Sequence, residues 1–341
     1  MFLVAVLFAA PGAHAQKKCP PVELLYDENE ELSEKRTDAD GDCRYEEIVK
    51  YRGGQPHTAE TDSTGDGRFD TFVTFDAAGQ PARQERDTTG DGRIDQWVEF
   101  EGGQPSVQRA DTTGDGKPNA TITFAGGQPV EEESDTTGDG RMDRRVRYEN
   151  GKPVRIEEDR SGDGRPELVV DFDADGEKLR EQQDTTGDGR LDVVIHYAGG
   201  VRTRIEEDPD GAGHPSAVTT FENGQRVRRE ADTDGDGRFD TVSHFENDQE
   251  VRQERDLDGD GRPELVVVFE NGVRVREEKD ESGDGRMDLV THFAGDVPLR
   301  SEADTSGDGK PDTFLAFQDG RKARQEEDRN ADGKIDAIYE F

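Results

Sequence analysis

The nine-residue string DTTGDGRMD at Asp135–Asp143 constrains the fold more than any other feature, because it recurs in near-copies along almost the whole chain. Such loops begin at Asp38, Asp62, Asp87, Asp111, Asp135, Asp159, Asp184, Asp208, Asp232, Asp256, Asp280, Asp304 and Asp328, a regular spacing that is one residue longer in only two places. A fixed period of this length marks a repeat architecture, in which each unit buries its apolar side only by stacking on its neighbours. Between loops the units share one pattern. A short apolar run such as Leu265–Phe269 is followed by a turn such as Glu270–Gly272, and then by a charged run such as Val273–Glu278. Asn-Gly and Gly-Gly pairs suit a two-residue hairpin turn, whose central residues need positive φ. Each unit therefore reads as a β-hairpin, with the acidic loop joining one hairpin to the next.

The expected fold class is all-β: tandem 24-residue β-hairpin repeats joined by the acidic loops, in an open twisted array. A weaker period, twice as long, overlies the first. Proline precedes the last loop position at Pro118, Pro166, Pro215, Pro263 and Pro311, in alternate units. That pairing leaves a second geometry open, a β-propeller with 48-residue four-stranded blades. Loops of one length suit the array better, because links between blades have farther to span. One position is aromatic in every unit, from Tyr26 and Tyr51 through Phe172 and Phe269 to Phe341. The expectation is a core stripe of packed rings.

The loop has the donor pattern of a calcium site: oxygen ligands on alternate residues, a main-chain carbonyl at position 7, and glycine at position 6 for the sharp turn. Positions 1, 3, 5 and 9 supply the side-chain oxygens. The candidate ligands are Asp38, Asp40, Asp42 and Glu46; Asp62, Thr64, Asp66 and Asp70; Asp87, Thr89, Asp91 and Asp95; Asp111, Thr113, Asp115 and Asn119; and Asp135, Thr137, Asp139 and Asp143. They continue with Asp159, Ser161, Asp163 and Glu167; Asp184, Thr186, Asp188 and Asp192; Asp232, Asp234, Asp236 and Asp240; and Asp256, Asp258, Asp260 and Glu264. The last three sets are Asp280, Ser282, Asp284 and Asp288; Asp304, Ser306, Asp308 and Asp312; and Asp328, Asn330, Asp332 and Asp336. Position 7 is Arg or Lys in twelve loops, consistent with a residue that lends its carbonyl and sends its side chain to water. The 208 loop, DPDGAGHPS, has Ala212 and Ser216 where two carboxylates stand elsewhere, so it is expected to bind metal weakly or not at all.

These loops resemble the calcium loops of FG-GAP/VCBS-type repeats, which also run straight into a strand, and more loosely those of thrombospondin type 3 repeats. The hairpin halves loosely resemble MORN- and YD-type repeats. The resemblance covers the nine-residue loops and implies multiple bound calcium ions.

Composition points the same way. The chain carries a net charge of −37 with only 29% hydrophobic residues, so it repels nucleic acid and attracts cations. Twelve divalent ions would lower that charge to −13. Residues 1–15 read as a signal peptide, with an apolar run at 2–10 and Ala13-His14-Ala15 before the cut; the run is too short to span a bilayer. Export would place the protein in the periplasm, at the cell surface or outside the cell. In that setting Cys19 and Cys43 are expected to form a disulfide. Residues 16–37 read as a partial N-terminal repeat and 38–341 as thirteen tandem loop-and-hairpin repeats. No catalytic constellation is legible, and a non-enzymatic role is expected. His196, His244 and His292, at the same place in alternate units, read as part of a solvated strand face. The expected function is an exported calcium-binding repeat protein with a structural or adhesive role. The expected partners are calcium, a cell-surface protein or polysaccharide, and further copies met end to end. The second reading is a propeller-like module that binds protein or polysaccharide and uses calcium only as scaffold.

Overall fold

A computed structural model describes residues 19–341, so the expected signal peptide lies outside the described residues. The fold is all-β. The described residues divide into two compact units, one ending at residue 151 and the other spanning 152–341. The first contains eleven strands, from Val22–Tyr26 to Arg144–Glu149, and the second sixteen, from Lys152–Glu158 to Ala337–Glu340. Within each unit every strand pairs antiparallel with the next in sequence, without a break. Four-stranded blades would require a break at every fourth strand, so this open pairing overturns the propeller alternative within each unit.

The hairpin turns form as the sequence predicts. Asn271 and Gly272 sit at φ 52° and 75°, the left-handed pair that a two-residue turn between twisted strands requires. Beyond the first hairpin, whose turn spans Asp27–Glu31, two turns are longer. The Asp76 carboxylate accepts the N–H groups of Ala78 and Gln80 at 2.8 and 2.9 Å, and Asp173 does the same for Asp175 and Glu177. Those two turns account for both of the longer spacings between loops. Each full hairpin within a unit also carries a β-bulge beside the aromatic position: Lys50 pairs with Thr58 while Tyr51 pairs with Pro56, leaving His57 extra. The same slip occurs at Phe100 and Phe221. A bulge increases local strand twist, and the sequence pattern alone did not reveal it.

The core differs from the expected ring stripe. The aromatic residues from Tyr51 to Phe317 are half-buried, whereas Tyr26 and Phe341 are 59% and 69% exposed. The most deeply buried side chains are Val169, Val218 and Val266, each 1% exposed. Cross-strand register explains why. One row of the second unit reads Val194, Glu206, Val218, Glu230, Val242, Glu254, Val266, Glu278. On the same face, two residues before each glutamate, stand Arg204, Arg228, Arg252 and Arg276, paired to those glutamates at 2.8, 3.0, 2.7 and 3.1 Å. Pairs pinned in this way can cover the valine between them with their methylene stems. The core is thus built from side chains of neighbouring strands within one sheet.

The histidines belong to the arginine row. His196 lies between Arg180 and Arg204, and its Nε2 is 3.6 Å from Glu206. His244 lies between Arg228 and Arg252, and His292 between Arg276 and Arg300.

Candidate metal-binding loops

The 62 loop shows how the sequence builds the site. Asp62 accepts the N–H of Gly65 on one carboxylate oxygen at 2.6 Å and that of Gly67 on the other at 2.7 Å. Asp70, at the far end, accepts the N–H groups of Ser63 and Thr64 at 2.8 and 3.1 Å. Asp66 accepts the Arg68 N–H at 2.8 Å. Three carboxylates thereby wind the whole loop into one coil. The left-handed glycines at positions 4 and 6 turn the amides inward (Gly65 φ 76°, Gly67 φ 86°). The pattern repeats at Asp87, Asp111, Asp135, Asp184, Asp232 and Asp280.

Many end residues of the loops are buried although they are acids. Asp38 is 2% exposed, Asp70 5% and Asp143 7%. A buried carboxylate must be hydrogen-bonded or paired with a cation. Burial disfavours the charged form of Asp62, Asp87 and Asp111, yet the glycine N–H donors outweigh it and hold these groups below the usual carboxylate range. At Asp70, Asp143 and Asp192 burial is likewise overcome, here by hydroxyl and N–H donors from the start of the loop and, at Asp70, first of all by the Thr71 hydroxyl. All six stay ionised and present the negative charge a metal ion needs.

Five loops bring carboxylate oxygens within 4.8 Å of one another. The 38 loop gathers Asp38, Asp40, Asp42 and Glu46, and the 256 loop Asp256, Asp258, Asp260 and Glu264. The 159 loop gathers Asp159, Asp163 and Glu167, the 232 loop Asp232, Asp234 and Asp240, and the 280 loop Asp280, Asp284 and Asp288. Among the described residues, the 62, 87, 111, 135, 184, 304 and 328 loops do not draw three carboxylates that close. The all-oxygen donor set of the five clusters fits a hard divalent cation. Glutamate at position 9 occurs in three of the five, its longer side chain reaching back across the loop.

Successive loops are tied together in ways the sequence did not reveal. Within each unit, the N–H of a loop's first aspartate donates to the carbonyl of the previous loop's last position, as from Asp62 to Glu46 at 2.8 Å and from Asp280 to Glu264 at 2.9 Å. The position-7 side chains do not simply run to water. Several lie over a glycine of the following loop: a Cβ on Gly189 would come within 2.7 Å of the Arg165 guanidinium, and one on Gly285 within 2.6 Å of Arg262. The available signal was Arg or Lys at this position in twelve loops. The expected disulfide is present, Cys19 to Cys43, with Cα atoms 5.4 Å apart; it ties the N-terminal segment to position 6 of the first loop.

No known family model matches the chain, and no curated protein does. Among solved structures, similarity is found to the accessory secretory protein 1, 2 and 3 structure of Streptococcus pneumoniae, at 23% identity and a TM-score of 0.22, over 26% of this chain and 17% of that one. The TcdB2-TccC3-Cdc42 structure is matched over 94% of this chain and 22% of that one, at 11% identity and a TM-score of 0.19. TcdB2-TccC3-TEV gives 12% identity and a TM-score of 0.21, over 90% and 18%. The chain spans less than a quarter of the length of these matched chains, and at such TM-scores the likeness carries no argument about fold or function.

Proposed function

We propose that this is an exported calcium-binding repeat protein with a structural or adhesive role, in which ions stiffen the joints between hairpins. The observation that carries the reading is the convergence of three or four carboxylates within 4.8 Å in each of five loops. Calcium suits such loops, because it accepts six to eight oxygens in flexible geometry, whereas magnesium demands a compact octahedron. The residues that would hold it are positions 1, 3, 5 and 9 with the position-7 carbonyl, and the ion would supply the positive charge these acids lack. Binding energy then becomes folding energy, because the gathered carboxylates repel one another without an ion. The disulfide agrees with export, and we assign residues 1–15 as the signal peptide on sequence alone. The adhesive partner would be a protein or polysaccharide at the cell surface; we propose no catalytic role.

Far-UV circular dichroism of residues 16–341 tests this, titrating from excess EDTA into calcium, with magnesium as the control. Strand signal and melting temperature should rise with calcium, in the ~0.1–1 mM range of extracellular calcium modules, and much less with magnesium. A spectrum that ignores both ions would overturn the proposal.

A further inference from the structure

The 208 loop is complete in backbone yet poor in ligands. Asp208 still accepts the N–H groups of Ala212 and Gly213, at 3.0 and 3.1 Å. The ties to its neighbours are intact as well, from Asp208 N–H to the Asp192 carbonyl at 2.7 Å and from Asp232 N–H to the Ser216 carbonyl at 2.8 Å. Its position-9 side chain no longer closes the loop, since the Ser216 hydroxyl donates instead to the Glu207 carbonyl at 3.2 Å. Two carboxylates remain, Asp208 and Asp210, and no acid cluster forms there among the described residues.

A cation reaches this loop from its neighbour. Arg190 donates through Nη1 to the Gly211 carbonyl at 3.4 Å, while its Nε and Nη2 hold the Asp188 carboxylate at 2.9 and 2.5 Å. The guanidinium lies flat on Gly211: a Cβ there would stand 2.2–2.5 Å from three of its atoms. Arg238 donates to the Gly259 carbonyl at a like distance, 3.4 Å, in the ligand-rich 256 loop, yet a Cβ on Gly259 would be 3.9 Å from it. The strand that leaves the 208 loop is also among the best covered, with Ala217, Val218 and Thr219 at 4%, 1% and 5% exposure.

We propose that Arg190 is the resident cation of the 208 loop, making it an ion-independent joint in an array whose acid-clustered joints take calcium. This rests on the calcium reading of the other loops. Guanidinium is permanently charged and planar, so it can bridge Asp188 and the Gly211 carbonyl at once. Deep aliphatic burial next door supplies the rest of the joint's stability. When calcium falls, hairpins on either side of residues 208–216 would stay in register while the ion-filled loops loosen.

Amide hydrogen exchange on the mature chain, with and without EDTA, tests the idea in wild type, Arg190→Gln and Arg238→Gln. In EDTA the amides of residues 208–216 should stay protected while those of 256–264 exchange at least about tenfold faster than in calcium. Arg190→Gln should speed exchange in 208–216 by roughly threefold or more, in EDTA and in calcium alike. Arg238→Gln should leave the calcium-loaded 256 loop within about twofold of wild type. Unchanged exchange in Arg190→Gln, or recovery of its 208 loop on adding calcium, would overturn the assignment. A 256 loop indifferent to calcium would instead sink the calcium reading, and the two failures are read from different peptides.

Discussion

The two units share a backbone plan but fill one cross-strand row differently. In the first unit the aromatic residues face prolines across the hairpin: Tyr51 with Pro56, Phe75 with Pro81, Phe100 with Pro105, Phe124 with Pro129. In most of the second unit the facing residue is basic, as in Tyr197 with Arg202, Phe221 with Arg226 and Phe269 with Arg274. Each such cation lies over the ring of the following repeat: Arg202 on Phe221 at 5.4 Å, Arg226 on Phe245 at 4.7 Å, Arg274 on Phe293 at 3.9 Å. The acid clusters are unevenly shared too, one in the first unit against four in the second. A ring on a single-sheet fold needs a cover, and this chain supplies it either with a rigid apolar ring or with a cation. The first cover is indifferent to ions; the second belongs to the unit with more charge to balance.

Removing calcium gives the largest expected contrast. By hydrogen exchange in EDTA, the second unit should lose more protection than the first, since it holds four of the five clusters and the Cys19–Cys43 bridge anchors the other end of the chain. Equal losses in both units would remove the contrast. Next in size is the core. Val218→Ala, at a site 1% exposed, should cost about 2 kcal/mol in urea unfolding. Val98→Ala in the first unit, at 7%, should cost somewhat less, because its row neighbours are Gln84 and Gln108, in place of an Arg–Glu pair on either side.

How much of this was legible depended on the period of the signal. Loops, turns and strands each recur once per repeat, so thirteen weak local signals added up, and the hairpin array could be read from one chain. The glycines were legible because only left-handed backbone needs them in that rhythm. Ring burial was misjudged because an aromatic at fixed spacing looks like a core. In a sheet with no second layer the smaller valines sink and the rings stay half-covered. The cross-strand contacts were not legible, since Arg226 and Phe245 belong to different repeats and meet only once the register, bulge included, is known. The reach of Arg190 onto Gly211 was hidden for the same reason.

Smaller effects should separate the two covers. Arg226→Ala removes a cation–π contact worth about 0.5–1 kcal/mol at such a site, together with a 3.2 Å ion pair to Asp248. That loss should shrink when salt is raised, because part of it is screened charge. Pro105→Ala in the first unit removes an apolar cover, so its cost should not change with salt. Urea midpoints at two salt concentrations decide the matter, and a salt-independent Arg226→Ala would show that the arginine acts only as a packing stem.

The smallest expected effect is acid sensitivity without calcium. Asp70, Asp143, Asp192, Asp240 and Asp312 lie below the usual carboxylate range, because hydroxyl and N–H donors overcome the cost of their burial. A lowered folded-state pKa contributes stability that is fully present above the unfolded value, near 3.9, and is lost as pH falls through the folded value beneath it. The strand signal in EDTA should therefore hold down to about pH 4 and fall below it. Asn119 provides the internal comparison. It takes the position-9 place in the 111 loop and accepts the Thr112 N–H at 2.7 Å, as Asp143 accepts that of Thr136 at 2.9 Å, but it cannot be protonated in this range. Asp143→Asn should therefore keep the 135 loop folded while removing its acid-labile contribution at that position. If Asp143→Asn left the acid midpoint of that loop unchanged, the hydrogen bonds that Thr136 and Thr137 donate to Asp143 would not be the source of its acid lability.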